Sequence, residues 1–169
     1  LATRNDPGLE AECDRIIGLI ASAQEPDGYL YTSRTINDPG NPPPGRAARW
    51  SDMEFGHELY CAGHLYEAAI AYHAATGKRT LLDVAIRNAH LLASVFGPGK
   101  NPHPCGHPEI ELALVRLAEH TGEPGYLDLA RFFIDTRGHG ERRRYGEYSQ
   151  DHARVIEQTE VVGHAVRAA

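Results

Sequence analysis

Residues 76–85, Thr-Gly-Lys-Arg-Thr-Leu-Leu-Asp-Val-Ala, return 45 positions later as residues 121–130, Thr-Gly-Glu-Pro-Gly-Tyr-Leu-Asp-Leu-Ala. In both copies a Thr-Gly pair marks the turn between two helical runs. An amphipathic run with a shared Leu-Asp-x-Ala core follows. A period near that length belongs to helix pairs that bury their apolar faces by stacking on neighbours. The expected fold class is therefore all-α.

The residues around the two copies extend this pattern. Residues 54–76 carry Leu59, Ala62, Tyr66, Ala69, Ile70 and His73 on one side, and His57, Cys61, His64, Ala68, Ala71 and Ala75 on the other. A helix this apolar and small all round is expected to be enclosed. Residues 79–96 differ: Arg79, Asp83, Arg87, His90 and Ser94 form a polar stripe opposite Leu81, Leu82, Ala85, Ala89, Leu92 and Phe96, as in an outer helix. The alternation repeats over 108–119 and 124–136, with Pro108 and Pro124 suited to first helical positions and Glu109 and Glu111 near the positive end of a helix dipole. Gly138 and Gly140 end the fifth helix. Leu9, Cys13, Ile16, Ile17, Ile20 and Ala23 predict a first helix, and Val161, Val162, Ala165 and Val166 a last one over 158–169.

Between these runs lie long loops near 24–53, 97–107 and 138–157. The first gathers Pro26, Gly28, Pro39, Gly40, Pro42, Pro43, Pro44 and Gly45, so it is expected not to be helical and, at that length, to serve function.

Composition narrows the function classes. The chain has 169 residues, 17 Lys+Arg against 23 Asp+Glu, and a formal charge of -6, which disfavours nucleic acid or an anionic membrane as partner. No run approaches the roughly 20 apolar residues of a membrane span. The first residues carry no signal-peptide pattern, so the cytoplasm is the expected compartment. Cys13, Cys61 and Cys105 have neither metal-knuckle spacing nor even number. The triple Arg142-Arg143-Arg144 reads as a solvated loop.

Ten histidines organise the chemistry. His57, Cys61 and His64 fall at i, i+4 and i+7, a spacing that could hold zinc, although a buried cysteine is most often a small hydrophobe. His57 could equally face a pocket and bond a ligand hydroxyl, a neutral imidazole having one donor and one acceptor, or be a satisfied core histidine. His107 follows a Gly/Pro loop at the start of an inner helix, where its alternative role is capping. Gly63-His64, Gly106-His107 and Gly163-His164 repeat one dipeptide on three inner segments. Asp27-Gly28-Tyr29 could offer an aromatic ring to a sugar, or be a turn that needs glycine. There is no G-x-S-x-G elbow, glycine-rich phosphate loop or H-E-x-x-H.

Four segments then converge: His57-Glu58-Leu59-Tyr60-Cys61-Ala62-Gly63-His64; Ser94-Val95-Phe96-Gly97-Pro98-Gly99; Gly106-His107-Pro108-Glu109-Ile110-Glu111-Leu112-Ala113-Leu114; and Glu157-Gln158-Thr159-Glu160-Val161-Val162-Gly163-His164-Ala165-Val166-Arg167. With Asp27-Gly28-Tyr29-Leu30 and Tyr148-Ser149-Gln150, they resemble the β-L-arabinofuranosidase family of glycoside hydrolases, family 127, over almost all of the chain. The resemblance implies an (α/α)6 barrel, of which residues 1–169 would be the amino-terminal half, a partial barrel of about six helices in inner and outer pairs. It implies a retaining exo-acting hydrolase that releases terminal L-arabinofuranose from small L-arabinofuranoside substrates, and a homodimer for the full-length protein.

Such enzymes use a Zn2+-bound cysteine thiolate as nucleophile and a glutamate as acid/base. Carried over residue by residue, the sugar-contacting histidines are His57, His107 and His164. The family's catalytic glutamate and zinc ligands lie downstream of the Gly-His-Ala-Val-Arg segment, and Cys13, Cys61 and Cys105 do not match them. No catalytic or metal residue is therefore assigned here, and this polypeptide alone is expected to be inactive. The loop from Gly138 to Tyr148 looks shorter than is usual in the family. The competing expectations are a non-catalytic helical-repeat module that binds carbohydrate or another partner, and another (α/α)6 sugar-cleaving enzyme.

Overall fold

The computed structural model describes residues 1–36, 48–139 and 146–160. Among them are six α-helices and no named strand: α1 (Pro7–Ala23), α2 (Thr32–Ile36), α3 (Glu58–Thr76), α4 (Thr80–Val95), α5 (Ile110–Thr121) and α6 (Gly125–Thr136). Helices α3 and α5 pack on each other in one layer; α4 packs behind α3, α6 behind α5, and α1 and α4 meet in the second layer. This is the expected alternation of inner and outer helices in a partial helical barrel.

The sequence repeat is a structural repeat down to its hydrogen bonds. Gly77 and Gly122 end α3 and α5 at φ 74° and 77°, their N–H groups donating to His73 O and Ala118 O. Thr76 and Thr121 donate their hydroxyls to Tyr72 O and Leu117 O and accept from the N–H groups of Lys78 and Glu123. Each Thr-Gly pair thus satisfies orphan groups at a helix end while reversing the chain. The outer stripe is also as expected: Arg79, Asp83, Arg87, His90 and Ser94 are exposed, whereas Leu81, Leu82, Ala85, Ala89, Leu92 and Phe96 are buried.

Four expectations are corrected. Residues 32–36 of the first loop form a short helix, because no glycine or proline interrupts them. Helix α3 begins at Glu58, not Glu54: Asp52 draws residues 52–56 into a turn, its Oδ1 accepting from Phe55 N and its carbonyl from Gly56 N. Helices α5 and α6 begin two and one residues past their prolines' positions, at Ile110 and Gly125, with Pro124 as the cap. Residues 158–160 are not helical, and 161–169, with His164, lie outside the described residues, as do 37–47 of the Pro-rich loop and Arg142-Arg143-Arg144.

A fifth concerns burial. Only one side of α3 is enclosed, that of Leu59, Ala62, Tyr66 and Ala69; His57, Cys61, His64, Ala68 and Ala71 on the other side are exposed among the described residues. Apolar and polar faces of α3 are thus separated by packing rather than by residue type.

Candidate functional site

The open face of α3 and the start of α5 bring the histidines together. His57 is the residue that precedes α3, its backbone at φ -98° and ψ 23°. His107 sits in the turn before α5, its N–H donating to Cys105 Sγ at 3.4 Å. The two imidazoles lie with ring centroids 4.1 Å apart and planes inclined by 44°. Tyr60, one turn into α3, meets both edge-on, at 5.7 Å from His57 and 5.8 Å from His107, and meets His64 at 4.4 Å. His107 therefore does not act as the cap of α5: Glu109 holds that position, and its N–H donates to Glu111 Oε2 at 3.1 Å.

A buried carboxylate supports this wall. Glu58 accepts from the Tyr29 hydroxyl through Oε1 and from Trp50 N through Oε2, the latter at 3.0 Å. Trp50 is held at φ 63°, outside the usual range for a bulky residue, with Tyr29 and Phe96 edge-on at 5.3 and 5.4 Å. Burial pushes the Glu58 carboxyl above its ordinary 4.5, against the lowering by its two donors, and raises the Tyr29 hydroxyl as well.

This decides the reading of Asp27-Gly28-Tyr29. The Tyr29 side chain is buried beneath Trp50 and Arg49, whose guanidinium lies 4.1 Å from the ring centre, so it offers no face to a sugar. Gly28 is there for the backbone: at φ 95° a Cβ would come within 2.5 Å of Arg87 O.

Beneath the imidazoles lies a charged group. His64 Nδ1 is 3.3 Å from Glu109 Oε1 and 4.0 Å from Glu67 Oε2, and Glu67 pairs with Arg116. Desolvation, with Glu67 next to it, raises the Glu109 carboxyl, while His64 acts in the opposite sense. The ligand atoms of His64, Glu67 and Glu109 fall within 4.8 Å of one another. Arg116 already supplies a cation to Glu67. The His57-Cys61-His64 set is not brought together as ligands among the described residues.

Cys105 is buried with its thiol pushed up to about 12, by desolvation first and by the charge of Glu111 second. The Cys61 thiol is raised too. A zinc-held thiolate needs other ligand atoms gathered about it, and among the described residues no cysteine belongs to such a group. The described cysteines do not fit that role.

His57 also lines a cleft of about 670 Å³ between α1, residues 30–33 and α3, together with Leu19, Ile20, Leu30, Tyr31, Cys61 and Leu65. A hollow of about 480 Å³ beside α6 touches none of the paired imidazoles. The residues that sequence reasoning missed are Tyr60, Glu58, Trp50, Glu67, Arg116 and the Arg137–Glu111 pair. For Tyr60 a signal existed: it stands at i+3 from His57 and i−4 from His64 on one helix.

Comparison with known proteins agrees with the motifs. Residues 1–169 match the family model described as β-L-arabinofuranosidase, GH127 catalytic domain. A non-reducing end β-L-arabinofuranosidase of Bifidobacterium longum subsp. longum is 45% identical over 146 residues, which is 82% of this chain and 21% of that protein. The solved GH127 β-L-arabinofuranosidase of Geobacillus stearothermophilus T6 superposes with a TM-score of 0.87 at 45% identity, over 99% of this chain and 28% of its own. The solved GH127 β-arabinofuranosidase BT3674 gives 0.90 at 45% identity, over 98% and 26%. The chain thus spans about a quarter of the relatives it matches.

Proposed function

We propose, for a chain that belongs to the GH127 β-L-arabinofuranosidase catalytic-domain family, that the wall formed by His57, Tyr60 and His107 binds the terminal sugar of an L-arabinofuranoside in a retaining exo-acting hydrolase. The observation that carries the reading is the convergence of two imidazoles, 4.1 Å apart, on the open face of α3. Each neutral ring can offer one donor and one acceptor, which suits vicinal hydroxyls. Tyr60 contributes apolar edge rather than charge. His164, outside the described residues, is assigned as a third sugar contact.

The same reading gives the zinc-bound thiolate and the acid/base glutamate to other parts of the polypeptide, where zinc would keep the nucleophilic sulfur deprotonated. What this chain's own residues do is bind and orient the furanose ring. Calorimetric titration with methyl β-L-arabinofuranoside tests it. His57→Ala and His107→Ala should each weaken binding by about 1–3 kcal/mol, roughly 5- to 150-fold, with the fold intact. Unchanged affinity in both variants would defeat the assignment. Zinc-dependent hydrolysis by these 169 residues alone would defeat the division of labour.

A further inference from the structure

We infer that Arg137 and Glu111 are positioning residues for His107, an inference that rests on the reading of His107 as a sugar contact. The loop from Cys105 to Glu109 carries that imidazole, and the buried pair grips it at both ends. On the near side, Arg137 Nη2 donates to Cys105 O at 2.8 Å. On the far side, Glu111 Oε2 accepts from Glu109 N at 3.1 Å. The grips are joined by the ion pair itself, Arg137 Nη2 to Glu111 Oε1 at 2.8 Å. The other guanidinium nitrogen, Nη1, reaches Ser149 O at 3.0 Å, which ties the loop to the 3-10 turn Glu147–Ser149.

A stability role alone is a poor account of this arrangement. The side chains are only 4% and 11% exposed, and two charges that far from water lose in desolvation much of what they gain from each other. What the pair supplies is direction. A planar guanidinium holds three acceptors in fixed orientation, two of them main-chain carbonyls from separate segments, which an ammonium on a flexible stem cannot do. Gly106, between the grips, is pressed so closely on the turn before α3 that a Cβ would lie 2.1 Å from Glu54 O, and its N–H donates to Met53 O at 2.7 Å. The loop bearing His107 is thereby referenced to α6 through Arg137 and to the approach to His57 through Gly106.

The test uses the protein that carries this sequence, labelled with [13C]histidine, and two substitutions. Arg137→Lys keeps a cation beside Glu111 but loses the fork. The paired replacement Arg137→Met with Glu111→Leu removes both charges together and orphans neither. In each folded variant, verified by its thermal midpoint, the His107 ring resonance should move while those of His73 and His120 stay. KM for an aryl β-L-arabinofuranoside should rise about fivefold or more with a smaller change in kcat, and in a His107→Ala background the same replacements should alter KM by less than about twofold. A stationary His107 resonance, or a KM penalty carried unchanged into His107→Ala, would overturn the inference. If the unaltered protein neither binds nor cleaves the arabinofuranoside, the sugar reading fails, and the ring resonance alone decides the positioning role.

Discussion

Gly63 of α3 stands against Glu109 at the start of α5: a Cβ there would lie 2.7 Å from Glu109 Cγ and 3.1 Å from its carbonyl carbon. This contact sets how closely the inner helices approach, and therefore how closely His57 and His107 can face each other. Gly63→Ala should force the helices apart, costing about 1–3 kcal/mol, which for a domain of this size is roughly 2–4 °C of melting temperature per kcal/mol. Sugar affinity should fall in the same variant. An unchanged melting temperature would mean that the crossing is slack.

The Glu58 carboxyl gives a pH signature. Burial raises it above its ordinary 4.5, so between that value and its folded value the native state holds a proton that the unfolded chain has released. Stability contributed at this position is present at low pH and lost as pH rises through the folded value. Glu58→Gln removes the titration. Relative to the unaltered protein, the variant should therefore gain stability as pH is raised through that window, read as the difference between two urea titrations at each pH. A constant difference would show that Tyr29 and Trp50 fully offset the burial.

The paired turns predict paired costs. At Gly77 and Gly122 a Cβ would meet nothing within 4 Å, so the penalty for alanine is conformational alone, from φ 74° and 77°. Gly77→Ala and Gly122→Ala should each cost about 1 kcal/mol, and the double variant about twice that, since the turns share no partner. Urea denaturation with unchanged slope checks both figures. A large disparity between the two would contradict the equivalence of the repeats.

The residues that made these turns legible explain why other features were not. A Thr-Gly stop and a Leu-Asp-x-Ala stripe act within one or two helical turns, so local chemistry carries the signal and the alternation of inner and outer helices follows. The start of α3 is not legible from its own residues because the Asp52 turn competes with helix over 54–57, a competition settled by hydrogen bonds and by Gly106 docking from a distant segment. The role of Tyr29 was undecidable for the same reason: whether its ring meets a ligand or Trp50 depends on the fold of residues 48–50. The convergence of His57 and His107 came from motif resemblance, and the structure supplies its geometry. Arg137–Glu111 left no sequence trace, since nothing in a helix's own period tells which carboxylate an arginine beyond its end will reach.

The cysteines separate access from reactivity, and thiol labelling can read both. Cys105 is 1% exposed, with its thiol pushed up to about 12, so at pH 8 almost none is thiolate and no reagent reaches it. Cys61 is exposed on α3, although the protein packed around its sulfur raises that thiol above the ordinary 9.0. Exposure decides that Cys61 reacts; crowding decides that it reacts more slowly than a free thiol. With N-ethylmaleimide at pH 8, mass spectrometry of the folded protein should find Cys61 modified and Cys105 untouched, with Cys105 labelled only in denaturant. Because Cys61 lines the cleft beside His57, its adduct should also weaken methyl β-L-arabinofuranoside binding, and Cys61→Ala should bind normally and resist that loss. Labelling of Cys105 at the rate of Cys61 in the folded protein would mean that the loop carrying His107 opens readily, contrary to a loop clamped by Arg137 and Glu111.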